Sequence, residues 1–272
     1  MFMRQIAVII ALAGANICVA DDYRVQLGAS YGRTQYKSFV YDKSTLDFSE
    51  VDYKTDQYLL YGQLYFSPVS TDGVPLGAAA FLNQASGVYA FTARTESGPS
   101  EAQNGLFYEQ KYNQNGLGLE LYVPHTILYF AAGYSHFGGD LADAIGSVYY
   151  IEAGLTPLKG MVITTGYTED VDYEPNVDAT YVFGIGNNQA LNFQLSYDSY
   201  DDFDDTYSAS VEFYFTRYTS LWFGYYDEGD GENSQRLFVT QFFSERVFGA
   251  ISVTDEAEED SYSAYIAVGL RF

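Results

Sequence analysis

Four carboxylates, Glu120, Glu152, Asp178 and Glu212, fall on the polar side of segments whose other side is greasy, and Arg24, Arg94 and Arg271 share that polar side. Charged side chains facing a common water-filled space set a transverse field, and an excess of acid there favours cations. A catalytic reading has little to draw on. Only two histidines occur, His125 in a Pro-containing turn and His136 beside Ser135 and Gly138-Gly139-Asp140. A general base needs a nucleophile within about 3 Å, and neither spacing supplies one. The same two residues, far apart and with Cys18 as the sole thiol, make no zinc set. The acidic runs Asp198–Asp205 (D-S-Y-D-D-F-D-D) and Asp255–Asp260 (D-E-A-E-E-D) could attract Ca²⁺ or Mg²⁺. They lack the spaced ligands and glycine of a dedicated calcium loop, and read as a hydrated rim. The expectation is a lining of charged residues with no catalytic residue, no metal site and no cofactor.

What positions these side chains is an alternation of period two, because successive strand residues point to opposite faces. Tyr23, Val25, Leu27, Ala29 and Tyr31 alternate with Arg24, Gln26, Gly28 and Ser30. At the other terminus Tyr262, Ala264, Ile266, Val268, Leu270 and Phe272 alternate with Ser261, Ser263, Tyr265, Ala267, Gly269 and Arg271. Between them, strands are expected near 57–66, 86–95, 116–123, 127–136, 147–155, 161–168, 177–185, 190–198, 206–215, 220–227, 235–243 and 247–254. Tight connections such as Pro124-His125-Thr126 and Ser244-Glu245-Arg246 alternate with longer acidic ones, among them 33–56, 96–115 and 137–146. Short turns at one end and long loops at the other is the layout of bacterial outer-membrane barrels. The count is about fourteen; it becomes sixteen if Leu106–Tyr112, which also alternates, pairs with another loop segment, and twelve if two weak strands fail. An even number places both termini on the periplasmic side. The segment 67–85 breaks the pattern, since it is long where a short turn belongs.

The faces decide between membrane and water. One is nearly pure Leu, Val, Ile, Ala, Phe and Tyr; the other holds Gln26, Gln63, Thr92, Arg94, Glu120, Glu152, Asp178, Asn192 and Glu212. A dry core could not solvate that second set, because an unpaired buried charge costs several kcal/mol. A watery lumen could. Closing the sheet also satisfies every backbone group in lipid. Tyr31, Tyr58, Phe66, Tyr134, Tyr167, Tyr197, Tyr207, Phe215 and Phe243 lie near strand ends, as interfacial aromatic girdles require. The fold class expected is all-β: a transmembrane antiparallel up-and-down β-barrel.

Composition agrees. The chain carries 36 acidic against 13 basic residues, a net charge of −23, which speaks against nucleic acid as a partner. Its 47% hydrophobic and 18% aromatic content is too high for an acidic disordered chain. Arg4, the apolar run Ile6–Ala15 and Cys18-Val19-Ala20 before Asp21-Asp22 read as a secretory signal peptide. Residues 1–20 are thus the expected signal peptide and 21–272 the barrel.

The ending Ala264-Tyr265-Ile266-Ala267-Val268-Gly269-Leu270-Arg271-Phe272 resembles the C-terminal assembly signal of bacterial outer-membrane proteins. Ile266, Val268, Leu270 and Phe272 occupy its apolar and terminal aromatic positions, and the resemblance implies recognition by the barrel-assembly machinery. Ser67-Pro68-Val69 followed by Gly73-Val74-Pro75-Leu76-Gly77-Ala78-Ala79-Ala80-Phe81-Leu82 is similar to a segment of a general bacterial porin family of gammaproteobacteria. Gly77 and Ala78 stand where that family tends to have Ala and Glu. The resemblance implies an outer-membrane pore without catalytic residues.

The function expected is passive diffusion of small hydrophilic solutes or ions across the bacterial outer membrane, with a preference for cations. The alternative is a narrow, non-conducting barrel with an adhesive or structural role. Loops 33–56 and 96–115 are the candidates for an inward constriction. Expected partners are outer-membrane lipid and lipopolysaccharide, the assembly machinery and the solutes; divalent ions bridging the acidic loops to lipopolysaccharide phosphates are the alternative to a plain hydrated rim. A homo-oligomer is left open.

Overall fold

The computed structural model describes residues 22–272 apart from 43–46, 100–108, 141–145, 170–175, 187, 200–204, 228–232 and 257–260. The expected signal peptide lies outside the described residues, as do 106–108 of the Leu106–Tyr112 stretch and parts of both acidic runs; the end of that stretch, from Gln110, belongs to β4. Fourteen strands follow one another: β1 Tyr23–Asp42, β2 Asp47–Val69, β3 Gly87–Pro99, β4 Gln110–Tyr122, β5 Leu128–Gly139, β6 Ser147–Leu155 and β7 Met161–Thr168. Then come β8 Asn176–Gly186, β9 Gln189–Asp198, β10 Thr206–Tyr214, β11 Thr219–Asp227, β12 Asn233–Phe242, β13 Val247–Glu256 and β14 Ser261–Arg271. Each pairs antiparallel with its neighbours, and β1 pairs with β14 to close a barrel. Among the described residues no helix is long and apolar enough to cross a membrane; the crossing elements are strands.

The outer face is apolar in every quadrant. Leu117 on β4, Ile151 on β6, Leu195 on β9 and Ile251 on β13 are each 60–61% exposed, which only a lipid solvent makes tolerable around a whole sheet. Tyr31, Tyr58, Tyr134, Tyr149, Tyr167 and Tyr207 mark one rim; Phe66, Phe215 and Phe243 mark the other, beside the short turns. Inside, large rings are accommodated by glycines on the facing strand. Gly28 lies opposite Tyr61 and Gly118 opposite Tyr89, and a Cβ on either glycine would collide with the ring. The aromatic side chains therefore lie against the wall instead of filling the bore.

Three expectations need correction. The stretch 33–56 is no loop: β1 and β2 stay in register from Val25–Leu64 to Asp42–Asp47. Those strands have 20 and 23 residues, about twice what a tilted strand needs to cross, so they project as a hairpin on the long-loop side. Second, β3 has the opposite phase. Val88, Ala90, Thr92 and Arg94 are the exposed set, and Arg94 pairs with the outward Tyr58 while Thr92 pairs with Leu60. The cause is cross-strand: Phe91 and Tyr89 fit over Gly116 and Gly118 on β4, which turns Thr92 and Arg94 outward. Third, a bulge between Tyr23 and Val25 shifts the register at the start of β1. Tyr23 turns into the interior and is buried, and Arg24 on its far side is exposed at the rim.

Candidate functional site

The interior is built from strand positions alternate to the lipid-facing ones. Glu120, Glu152 and Asp178 project from β4, β6 and β8 onto one side of a lumenal cavity of 540 Å³. Hydroxyl and amide side chains, Thr164, Thr180, Gln194, Ser196, Ser208 and Ser210, continue that wall across β7–β10. Gln63 Nε2 donates to Glu120 at 3.4 Å, and Gln63 Oε1 accepts from the Tyr65 hydroxyl at 3.0 Å. Glu212 accepts from the Tyr214 hydroxyl at 2.7 Å and from Asn192 Nδ2 at 3.4 Å. None of these four carboxylates takes part in an ion pair among the described residues. The negative charge of this wall is left for whatever occupies the water.

Arg271 is the interior's counterweight, and it is not free. It is buried among rings: its guanidinium lies 4.4 Å from the centroid of Tyr23 and 4.6 Å from that of Phe242. Its Nε donates to Gln26 at 2.8 Å and its Nη1 to the Leu76 carbonyl at 2.8 Å. The arginine thus holds a piece of chain and offers little to a passing solute.

That piece of chain is the over-long connection between β2 and β3. From Ser70 it runs through a 3₁₀ turn at Leu76–Ala78 and one helical turn, α1 Ala79–Leu82, before rejoining the sheet at Gly87. On one side Ala79 and Ala85 pack with Tyr23, Tyr65 and Val69. On the other Ala78, with Phe81 and Leu82, packs against Val182, Ala190 and Tyr214 from β8, β9 and β10. Contacts with β1 and β2 at one side and β8–β10 at the other mean that the segment spans the bore. Leu76 and Ala79 have no exposed surface. Fully burying a leucine side chain is worth about 1.5–3 kcal/mol, so the segment is seated by its own apolar content. Polar ties add to this. The Leu76 N–H donates to the Arg217 carbonyl at 2.9 Å, and Arg217 Nη2 donates to the Thr71 hydroxyl at 2.8 Å. Asn83 Nδ2 ties the segment to itself through the Ser70 and Ala79 carbonyls. Gly77, Ala80 and Phe81 form the floor of the acid-lined cavity.

Of the seven charged positions expected to line the lumen, the structure brings together Glu120, Glu152 and Asp178, places Glu212 nearby on β10, and buries Arg271 at the floor. Arg24 and Arg94 lie on exposed surfaces. Leu76 and Phe81 entered the sequence reading only within the stretch that resembles the porin family, and Arg217 not at all; none was expected to form a floor. Their available signal was an apolar run, Leu76–Leu82, inside a connection too long for its end of the barrel. Of the two histidines, His125 sits with a positive φ of 62° in the tight β4–β5 turn, and His136 is exposed with its Nδ1 3.0 Å from the Ser147 hydroxyl.

Comparison with known proteins agrees with this geometry. Residues 155–272 match the model of a family described as "Putative general bacterial porin". The match includes the C-terminal resemblance and leaves the one at 73–82 outside it. The structure is similar to the crystal structure of the Acinetobacter baumannii outer membrane protein Omp33, with a TM-score of 0.68 and 22% identity, covering 93% of this chain and 100% of that one. Also similar, at a TM-score of 0.41 and 10% identity, is a mutant of the Rh. blastica porin, over 91% of this chain and 100% of that one. The translocator domain of the autotransporter NalP from Neisseria meningitidis gives 0.47 and 9%, over 100% and 95%. No curated protein matches.

Proposed function

We propose, taking as premise that the chain is a bacterial outer-membrane β-barrel of porin type, that it passes small hydrophilic solutes and ions by diffusion and prefers cations. The observation that carries this reading is the lumenal cavity whose carboxylates, Glu120, Glu152 and Asp178, have no basic partner among the described residues. A cation entering from the long-loop side meets that wall and hydroxyl dipoles; an anion meets repulsion at the same place. The floor at 70–86 limits the current, because ions must pass it or displace it. Planar-bilayer recording under a salt gradient tests the proposal: the reversal potential should report cation preference, and anion preference would contradict it.

The floor itself favours a second reading, a barrel without an open path and with a structural role. Correct insertion with no conductance at any voltage would decide for that reading. In either case we propose that Ile266, Val268, Leu270 and Phe272 serve as the assembly signal. Support comes from the outward exposure of Ile266 and Phe272 and from the Phe272 N–H, which donates to Val25 at 2.9 Å across the closing seam.

A further inference from the structure

The row of outward aromatic residues on the long-loop side has a gap at β3 and β4. Tyr31 and Tyr58 mark it on β1 and β2, and Tyr134 and Tyr149 on β5 and β6. Between them β3 and β4 present Thr92, Arg94 and Asn113 to the outside. Here the surface holds a notch of 370 Å³ lined by Tyr58, Leu60, Thr92, Arg94, Glu96 and Asn113. Directly towards the membrane centre on the same strands lies a second, apolar groove of 710 Å³. Its base is made of small outward residues, Gly62, Ala90 and Ala132, and its sides include Leu64, Val88 and Leu117. On β2 the notch gives way to the groove between Leu60 and Gly62, on β3 between Thr92 and Ala90, and on β4 between Asn113 and Leu117. A polar notch at the interface above an apolar channel in the hydrocarbon has the outline of one lipid molecule.

Charge indicates which lipid. In a chain with a net charge of −23, Arg33, Lys54, Arg94 and Lys111 gather on the outer side of β1–β4 at and above this level. Arg33 pairs with Asp56 at 2.7 Å and Lys111 with Glu109 at 3.1 Å. Arg94 is the cation in the notch itself. Its side chain is 59% exposed, and Nη2 makes its one described bond, to Glu96 at 2.5 Å. A guanidinium can offer two further parallel donors to a phosphate, the geometry for which arginine is suited.

We propose that this face is a specific lipid site, in which Arg94 and Asn113 hold a phosphate of a phosphorylated, acylated glycolipid of the outer leaflet and an acyl chain lies over Gly62, Ala90 and Ala132. The site is separate from the lumen and stands whether or not the barrel conducts. The test measures retention of bisphosphorylated lipid A by the full detergent-purified barrel in native mass spectrometry, with dephosphorylated lipid A as the comparison. Folding of each variant is checked by heat-modifiable gel mobility. Arg94→Gln should lower retention about tenfold, the scale of one lost charge-assisted hydrogen bond. Ala90→Trp should lower it by filling the groove, and Leu195→Trp on the opposite wall should leave it unchanged. Glu96→Gln separates the proposal from a merely structural ion pair: freeing Arg94 should raise retention of the phosphorylated lipid. The proposal is overturned if Arg94→Gln and Glu96→Gln lower retention together, or if neither Arg94→Gln nor Ala90→Trp changes it. It is equally overturned if dephosphorylated lipid A is retained as well, or if the variants alter the number of protomers instead, which would mark a protein interface.

Discussion

Two parts of the barrel depart from the minimal plan of short turns and membrane-length strands, and they depart in opposite directions. At the short-turn end the 70–86 connection folds inward and is seated by apolar burial. At the other end the β1–β2 hairpin continues outward, its backbone groups paired strand to strand as far as Asp42 and Asp47. The difference follows from what each segment must satisfy. The hairpin completes its own hydrogen bonds and carries charged side chains, so water is an adequate solvent for it. The floor has few internal backbone bonds and a run of Leu, Ala and Phe; the inner wall is where both needs can be met. The bore is therefore narrowed from below by apolar residues, while the 33–56 stretch, expected as a loop, is a hairpin that continues outward.

Replacing residues 72–84 by a tight Asn-Gly turn is the strongest way to break this comparison. The strand ladders do not depend on the floor, so the barrel should still insert, and its single-channel conductance should rise to that of an unobstructed bore. Conductance unchanged from the parent would show that the floor does not limit permeation. Leu76→Ala is a milder version. Truncating a fully buried leucine typically costs about 2–5 kcal/mol, and every 1.4 kcal/mol is a tenfold change in an equilibrium. The displaced state of the floor should become at least about tenfold more populated, seen as brief openings to the large conductance level.

How much of this was legible in the sequence depends on whether a decision was local. The alternation of β14 was plain, because Ile266, Val268, Leu270 and Phe272 are all apolar and their neighbours are small or polar. On β3 the residues alone favour Tyr89-Phe91-Ala93-Thr95 as the greasy face over Val88-Ala90-Thr92-Arg94, which carries the arginine, and the fold takes the opposite choice. Its phase is set by Gly116 and Gly118 on another strand, a relation that no property of β3 contains. At the start of β1 a single bulge reverses the alternation and sends Tyr23 in. In the hairpin, Lys37, Lys54 and Asp52 weakened the apolar alternation that marks a strand in lipid, although it is the backbone pairing that makes it a strand. For the lumen, the acids were legible as a set; the role of Arg271 as a tie to Leu76 was not, since that carbonyl lies 195 residues away in sequence.

A third expectation concerns the acid wall between these two regions. Glu120→Gln, Glu152→Gln and Asp178→Asn together keep the shape and remove three negative charges. If the wall sets selectivity, the cation-to-anion permeability ratio should fall severalfold while conductance in symmetric salt changes less. An unchanged reversal potential would move the origin of selectivity to the outer rim.

The smallest effect belongs to the hairpin. Arg33 bonds Asp56 through Nε at 2.7 Å and Nη2 at 3.1 Å, and the Tyr31 hydroxyl donates to the same carboxylate at 2.7 Å. The hydrogen bonds from Arg33, ahead of that from Tyr31, hold the Asp56 carboxyl below its ordinary value against the opposing effect of burial. A carboxylate whose folded value is depressed contributes stability that is fully present above the unfolded value, about 3.9. That contribution fades as pH falls from there through the folded value. Arg33 is nearly half exposed, so the pair is screened, and an exposed pair is worth about 0.2–1 kcal/mol. Amide hydrogen exchange in the hairpin should accelerate modestly between pH 5 and the acid limit, after correction for intrinsic rates, while exchange in β9 and β10 keeps its protection. Asp56→Asn should abolish that extra pH dependence. Were it to persist in the variant, a different carboxylate would be holding the outer end of β1 and β2 together, and the contrast with the floor would rest on backbone pairing alone.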